Sequence, residues 1–342
     1  MTASSVPESS PPISWQDIIC SDQSAAATWT HIFQRLQTLA LATTSPATLH
    51  RETVTPDRLL AETAWDLWQQ VPTAAPSAIA GIRDFWQPPI TSAGTAVLIL
   101  DALSLRELPL IINGAKKRGI EPANISVRAS VVPTETDQFA AALGLPGRAK
   151  LAHNQPPASF IFNGPDVYTD VLADPFADCV GRIGAQPRLF LWHNWPDEPL
   201  IHLHSNRPDG DAVVGAEIKR TLASDGFWNF LDRLRQGRRL LITSDHGYAT
   251  TAEFSSEVKT PEDVRGLAGQ FGAQRAIRED PASPWLQRQF PPPVLRFPDA
   301  GGAWLVVTGQ RKWKVSGGFP TLCHRGLSLL EAAVPMIELS AL

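Results

Sequence analysis

Short, uninterrupted apolar runs alternate with helix-forming segments from residue 96 onwards, and this alternation constrains the fold more than any other feature. Three of the runs are AVLIL (96–100), PRLFLW (187–192) and RRLLIT (238–243). Runs without polar alternation are typical of strands covered on both faces, as in parallel sheets, whose strands need helical crossover connections. The chain is therefore predicted to adopt an α/β fold with a largely parallel sheet sandwiched by helices. Further strand candidates are NISVRAS (124–130), ASFIFN (158–163), AWLVVTG (303–309) and VPMIEL (334–339).

The chain divides by composition into three regions. Residues 1–12 are rich in Ser and Pro and are predicted to be a disordered tail. Residues 13–90 carry apolar residues at helical spacing, with Trp29 and Trp68 among them, and are predicted to form an N-terminal helical extension. Residues 91–342 hold the strand candidates and are predicted to be the α/β domain.

The overall composition narrows the class of protein. A net charge of −4 over 342 residues does not require a nucleic-acid partner, although a local basic patch could still bind one. The three cysteines, Cys20, Cys179 and Cys323, are too widely spaced for a zinc ribbon and too few for a disulfide framework. The first residues lack the features of a signal peptide, and no apolar stretch reaches the roughly 18 residues of a membrane span. A cytoplasmic protein without membrane contact is the expectation.

Acidic and imidazole side chains follow the predicted strands where each strand ends. Asp101 follows AVLIL, Asp245 and His246 follow RRLLIT, and His193 and Asp197 follow PRLFLW. Ligands of open α/β sheets bind beyond the carboxyl ends of the strands, so these side chains are expected to lie close together. Taken singly, each has an ordinary explanation, because an Asp after a strand is usually a helix cap. Their shared position makes a metal site the stronger interpretation.

Two threonines and a late histidine extend this pattern. Thr134 and Thr136 lie where a strand gives way to a helix, and His324 follows the late strands. Oxygen and nitrogen ligands without thiolates suit zinc, manganese or a similar divalent ion. Two such ions about 4 Å apart clamp the oxygens of a phosphoryl group, and a hydroxyl held against one of them becomes a nucleophile. Although threonines here are by default helix caps, the residues predict metal-assisted phosphoryl transfer with a Thr nucleophile.

Four stretches resemble, in order, motifs of the PglZ domain of the alkaline phosphatase superfamily. They are VLILDALSLRELPLI, VVPTETDQFAAALGL, LLITSDHGY and CHRGLSLLEAAVPMI, and the resemblance spans roughly residues 95–340. It implies an alkaline-phosphatase-like core with two divalent metals, zinc in the first place and manganese as the alternative. By position, Thr136 resembles the nucleophile of the family. The resemblance implies that Thr136 shares the first metal with Asp101, Asp245 and His246, and that His324 is a ligand of the second metal.

The rest of the second metal site departs from the family pattern. WHNWPDEPLIHLH (192–204) offers Asp197 and His202, one residue further apart than the usual spacing. His204 or His193 are alternatives to His202, and Asp209 is an alternative to Asp197. Arg325 stands where the family usually has Gly, and is either a fork donor to phosphate or a neutral variant.

The function that this resemblance implies is a metal-dependent phosphoric-ester hydrolase, with a phosphodiesterase acting on nucleotides or nucleic acid favoured. PglZ domains resemble components of BREX-type anti-phage systems, so a role in bacterial antiviral defence is expected. The alternative is a non-catalytic or weakly catalytic defence subunit that binds partner proteins or DNA. A complete set of metal ligands would favour the enzyme, and an incomplete second site would favour the binding role.

Overall fold

A computed structural model describes residues 14–43, 45–87, 93–205, 207–251, 254, 256–257, 261–280, 293–316 and 318–342. The tail predicted over residues 1–12 lies outside this set. In the described part of the chain, the helices are α1 (Trp15–Ile19), α2 (Ala25–Ala42), α3 (Pro46–Glu62), α4 (Trp65–Ala74), α5 (Ala78–Trp86), α6 (Leu108–Lys117), α7 (Thr136–Ala142), α8 (Phe176–Cys179), α9 (Gly210–Ala223), α10 (Asp225–Arg235), α11 (Pro261–Phe271) and α12 (Leu329–Ala332).

A six-stranded sheet forms the centre of the molecule, in the order β2-β13-β5-β1-β4-β3. Strands β1, β3, β4 and β5 are mutually parallel, and β13 runs antiparallel between β2 and β5. The predicted α/β class with a largely parallel sheet between helices is confirmed. The strands are β1 (Gly94–Leu100), β2 (Pro122–Ala129), β3 (Val167–Leu172), β4 (Arg188–His193), β5 (Arg238–Thr243), β6 (Ala249–Thr250), β7 (Ser256–Glu257), β8 (Ala276–Arg278), β9 (Val294–Asp299), β10 (Gly302–Val307), β11 (Arg311–Lys312), β12 (Leu322–Cys323) and β13 (Ala333–Leu339).

Both faces of the central strands β1, β4 and β5 are buried, which explains their unbroken apolar runs. In β1, Leu98 belongs to a core cluster that includes Trp29 of α2, whereas the next residue, Ile99, belongs to a second cluster that includes Phe139 of α7. Successive side chains of a strand point to opposite faces of the sheet. Where both faces are covered, consecutive residues such as Leu98 and Ile99 must therefore both be apolar. Helices α1 to α4 therefore share one continuous core with the sheet. No helix of the described residues is both long enough and apolar enough to cross a membrane.

The strand predicted at ASFIFN is wrong. Residues 158–163 form turns, and the rings of Phe160 and Phe162 pack on Phe190 of β4 with centroid distances of 5.1 and 5.3 Å. The alternation of buried and exposed side chains that resembles a strand comes from this aromatic packing. The strand in this region is β3 instead, which the sequence hides because Asp170 interrupts its apolar residues.

The helical extension also makes a buried polar contact with the start of α12 and with Gln310, which lies between β10 and β11. Asp57 of α3 is fully buried, and its carboxylate accepts hydrogen bonds from the Leu329 N–H at 2.7 Å and from Gln310 Nε2 at 2.9 Å. Burial raises the pKa of the Asp57 carboxyl from 3.8 to about 7, against the lowering effect of these hydrogen bonds. The extension is thus fastened to the first residue of α12, where the loop that carries His324 and Arg325 ends.

The raised pKa of Asp57 predicts a pH dependence of stability. Between pH 4 and pH 7 the unfolded chain releases the Asp57 proton while the folded chain retains it, so the free energy of unfolding falls as pH rises. The expected decrease between pH 4.5 and pH 7.5 is about 3 kcal/mol relative to Asp57→Asn, which has no proton to release. Urea unfolding of both proteins at pH 4.5, 6 and 7.5 measures it. A stability difference that does not change with pH would contradict the prediction.

Candidate active site

Two neighbouring strands place three side chains that could hold a metal at the carboxyl edge of the sheet. Asp101 follows β1, Asp245 and His246 follow β5, and the two strands are paired up to Ile99 and Thr243. All three side chains are fully buried, and one ligand atom from each lies within 4.8 Å of the others. The parallel sheet therefore brings together two carboxylates and an imidazole from segments more than 140 residues apart.

The hydroxyl of Thr136 lies at the centre of this group. Its Oγ1 is 2.7 Å from Asp245 Oδ2, 3.1 Å from Asp101 Oδ1 and 3.4 Å from His246 Nε2. Thr136 is the first residue of α7, and it is half-buried, whereas its three neighbours are buried. The hydroxyl is thus the member of the group that faces the opening of the site.

The hydrogen bonds around these ligands leave lone pairs pointing at one another. His246 Nδ1 lies 3.0 Å from the Gly247 carbonyl, which can only accept, so Nδ1 carries the proton and Nε2 presents a lone pair. Asp245 Oδ1 accepts from the Ala102 N–H at 3.0 Å, and Oδ2 remains directed at Thr136. A single hydroxyl proton cannot satisfy three acceptors, whereas a divalent cation satisfies all of them. The residues therefore fit a metal ion with oxygen and nitrogen ligands.

Gly247 is required by a close approach to α12, the short helix that precedes β13. A Cβ atom at this position would lie 2.1 Å from the Leu330 carbonyl oxygen, and the Gly247 N–H donates to the Glu331 carbonyl at 2.9 Å. The segment that carries Asp245 and His246 is in this way joined to the segment that carries His324.

His324 lies against the first group. Its ring is stacked on the His246 ring, with centroids 4.7 Å apart and planes at 16°. Burial, together with the nearby positive charge of Arg325, lowers the pKa of His324 well below its usual range. The ring is therefore neutral, which is the form that binds metals. His324 Nδ1 is buried and finds no hydrogen-bond partner within the described residues.

Arg325 has a backbone conformation that favours glycine. Its φ angle is +80°, its N–H donates to the Thr134 carbonyl at 3.1 Å, and its guanidinium pairs with Glu135 Oε2 at 2.8 Å. Burial raises the pKa of Glu135, and the charge of Arg325 opposes that rise. The Gly expected from the PglZ pattern suits this φ angle, and Arg325 adopts it at a cost of about 1 kcal/mol. The ion pair holds its side chain beside Thr136.

The remaining residues predicted for a second metal do not join a compact ligand group within the described residues. Asp197 is half-buried, its N–H donates to the Asp101 carbonyl at 3.2 Å, and its Oδ1 is buried without a hydrogen-bond partner in the described part of the chain. His202 is exposed and lines a cavity of about 240 Å³ together with His324 and Arg325. Asp197 and His202 are therefore not gathered with His324 into one ligand group in the described part of the chain.

The spacing of Asp197 and His202 has a structural explanation. Residues Asp197–His202 form a π-helix, in which the Ile201 N–H donates to the Pro196 carbonyl at 3.2 Å. Residues five apart lie one above the other in a π-helix, as residues four apart do in an α-helix. The wider turn of the π-helix therefore accommodates the extra residue between Asp197 and His202, and both side chains lie on the same face of that helix.

The alternatives for the second metal are placed differently. His193 is buried with both ring nitrogens engaged, since Nδ1 accepts from the Trp195 N–H at 3.1 Å and Nε2 lies 3.0 Å from the Asp174 carbonyl. Asp209 is exposed and pairs with Arg207 at 3.1 Å. His204 is half-buried with a free Nδ1 within the described residues. The ring nitrogens of His193 and the carboxylate oxygens of Asp209 are thus engaged by other partners.

Two further residues that were not among the predicted site residues contact the site. Arg148 contacts Asp101 Oδ2 through Nη1 and Glu198 Oε2 through Nη2 at 3.3 Å. Glu331 is fully buried and accepts from Arg275 Nε and from the Gly326 N–H, both at 2.9 Å. Glu331 could have been noticed, because it lies in the stretch that resembles the last PglZ motif, whereas no signal in the sequence marks Arg148.

Comparisons with known proteins give low similarity. No protein-family model and no curated protein matches the sequence. Phosphonoacetate hydrolase from Sinorhizobium meliloti 1021, in complex with phosphonoformate, is similar at 16% identity with a TM-score of 0.43, over 74% of this chain and 91% of that chain. Murine ectonucleotide pyrophosphatase/phosphodiesterase 5, as an inactive variant in complex with AMP, is similar at 13% identity with a TM-score of 0.45, over 73% of this chain and 88% of that chain. Similarity at this level assigns neither an activity nor a site residue to the chain.

Proposed function

We propose that this protein is a metal-dependent phosphoric-ester hydrolase in which Thr136 is the nucleophile. The observation that carries the proposal is the convergence of Asp101, Asp245 and His246 on Thr136 Oγ1, at 2.7 to 3.4 Å. A hydroxyl surrounded by metal-type ligands at the open edge of an α/β sheet suits attack on phosphorus. The four stretches of sequence that resemble the PglZ domain point to the same chemistry.

Two sets of side chains would hold the metals. Asp101, Asp245 and His246 would form the first site beside Thr136, and Asp197, His202 and His324 would form the second. Nitrogen and oxygen donors of this kind select zinc, with manganese as the alternative. The bound cations supply positive charge that lowers the pKa of a neighbouring hydroxyl and stabilises the oxygens of the phosphoryl group.

The residues of the chain then carry out two displacements at phosphorus. Thr136 Oγ1, oriented by Asp245 Oδ2 at 2.7 Å, bonds to phosphorus as the bond to the leaving alcohol oxygen breaks, and the Thr136 proton ends on that leaving oxygen. The product is a phosphothreonine at residue 136. Water then attacks the same phosphorus atom, the bond to Oγ1 breaks, and one proton of the water ends on Thr136 Oγ1. Arg325, held beside Thr136 through Glu135, is placed to donate hydrogen bonds to the phosphoryl oxygens.

A phosphodiester of a nucleotide or nucleic acid is the favoured substrate, in a bacterial anti-phage role beside other defence proteins. This part of the proposal is supported by the resemblance to the PglZ domain. A threonine nucleophile disfavours a sulfatase, since the related sulfatases need a modified Cys or Ser. The three cysteines are unpaired, which fits a reducing compartment such as the cytoplasm.

Metal removal tests the proposal directly. The purified protein is expected to hydrolyse bis-p-nitrophenyl phosphate, and EDTA is expected to lower the rate at least about a hundredfold, because the cation stabilises the developing charge by several kcal/mol. Zinc or manganese added back restores the rate, and the ratio of rates on bis-p-nitrophenyl and p-nitrophenyl phosphate separates diesterase from monoesterase. A rate that EDTA leaves unchanged would refute metal dependence.

A defence subunit that binds partner proteins or DNA is the second candidate. The observation that favours it is the arrangement of the second ligand set, which is not gathered into a compact group within the described residues. This candidate predicts a protein that neither binds zinc or manganese nor turns over either ester. The same purified sample therefore distinguishes the two functions.

A further inference from the structure

Arg148 forms an ion-pair bridge across the entrance of the site. It begins a short 3₁₀ segment, Arg148–Asn154, twelve residues beyond Thr136, and its side chain is 24% exposed. One end of its guanidinium contacts Asp101 Oδ2, and the other end lies 3.3 Å from Glu198 Oε2. Asp101 is fully buried, whereas the Glu198 side chain is 60% exposed. Arg148 thus reaches from the solvent edge to the buried carboxylate next to Thr136.

The two oxygens of Asp101 serve different partners. Oδ1 lies 3.1 Å from Thr136 Oγ1 and 3.6 Å from His246 Nε2, and Oδ2 contacts Arg148. A buried carboxylate without a positive partner is costly, so the protein without metal needs the guanidinium there. A divalent cation bound between Asp101 and His246 would supply that charge itself. Arg148 and the cation would then repel each other across a single carboxylate.

Glu198 gives the displaced guanidinium a second partner. It lies in the π-helix beside Asp197, and its Oε2 also contacts Asn194 Nδ2, so the carboxylate is held in place. A guanidinium that leaves Asp101 while it stays tethered to Glu198 remains at the entrance of the site with unused N–H donors. Those donors form a planar fork that matches the oxygens of a phosphoryl group.

We propose that Arg148 is an anion-recognition residue that neutralises Asp101 in the metal-free protein and binds the nonbridging phosphoryl oxygens once a divalent cation has taken over that carboxylate. The inference rests on the proposed function and deepens it, because it assigns substrate recognition to a side chain that the motifs do not include. It requires that Arg148 oppose metal binding and favour anion binding. A side chain that only maintains the shape of the site would affect both in the same direction.

The test measures the two affinities separately, by titration calorimetry. The first titration adds manganese alone to metal-free protein, and the second adds inorganic phosphate to protein saturated with manganese. Arg148→Gln is expected to bind manganese about tenfold more tightly, because a repelling charge is removed. The same variant is expected to bind phosphate at least about tenfold more weakly, because it loses a charge-assisted fork. Arg148→Lys keeps the charge without the fork, so it should match wild type for manganese and fall between the two for phosphate.

Arg58→Gln is the matched control, since Arg58 forms an exposed ion pair with Glu62 on α3. It should leave both affinities unchanged. The role of Arg148 would be overturned if Arg148→Gln weakened the binding of both manganese and phosphate, or if both affinities stayed within about twofold of wild type. The hydrolase proposal would still stand in either case. A wild-type protein that binds no manganese and hydrolyses no ester would overturn both.

Discussion

Thr136→Ala is expected to lower kcat for phosphoester hydrolysis at least about a thousandfold and to leave the metal content unchanged. The methyl group of Ala cannot attack phosphorus, and no phosphothreonine can form. The metal should still bind, because Asp101, Asp245 and His246 supply one carboxylate or imidazole atom each without Thr136. Rates on the preferred nitrophenyl ester, with metal analysis of the same sample, measure both parts of the prediction.

Two further variants test whether the loss of activity comes from the Thr136 hydroxyl itself. Thr136→Ser keeps the hydroxyl and should retain a measurable fraction of the activity, with a phosphoserine detectable by mass spectrometry after rapid quenching. Thr134→Val removes the neighbouring buried hydroxyl, which donates to the Gly326 carbonyl at 3.0 Å and not to the metal-type ligands. It should therefore reduce kcat far less than Thr136→Ala. If Thr136→Ala kept more than about a tenth of the wild-type rate, a water molecule rather than Thr136 would be the nucleophile.

The meeting of Asp101, Asp245 and His246 could be predicted from the sequence because it follows from the order of the strands in the sheet. Asp101 and Asp245 each follow an unbroken apolar run, and the ends of adjacent parallel strands meet at one edge whatever the helices between them do. Thr136 was accessible for a similar reason, since it begins the helix that follows β2. The sequence could predict the meeting of these residues, but the interatomic distances needed the structure.

Other features depend on interactions that a linear pattern does not contain. Arg148 lies in a 3₁₀ segment without apolar periodicity, and nothing in its neighbours indicates that it reaches Asp101. The sequence around Asp57 is typical of a helix whose polar residues face solvent. In the structure, tertiary packing buries Asp57 against the start of α12. The apolar runs in the sequence indicate where strands end. Contacts between side chains of distant segments are determined only by the packed structure.

Glu331→Gln is expected to lower the free energy of unfolding by about 3 kcal/mol, because it leaves the Arg275 charge buried without its partner. Arg275 and Glu331 are 3% and 0% exposed, and their ion pair is 2.9 Å long. The Glu331 carboxylate also accepts from Ser328 Oγ at 2.7 Å and from the Gly326 N–H at 2.9 Å. These bonds fix the loop that presents His324, so the variant should also bind manganese more weakly at pH 7.

A double-mutant cycle separates the ion pair from general damage to the core. Glu331→Gln, Arg275→Met and the double variant should give a coupling energy of about 2 kcal/mol by urea unfolding, since residues in one buried network are not additive. The exposed pair of Arg58 and Glu62, 3.0 Å apart on α3, should give less than about 0.5 kcal/mol in the same cycle. A coupling energy for the buried pair as small as that of the exposed pair would contradict the prediction. The loop that carries His324 would then be held by backbone contacts alone, and the loss of manganese affinity expected for Glu331→Gln should vanish with it.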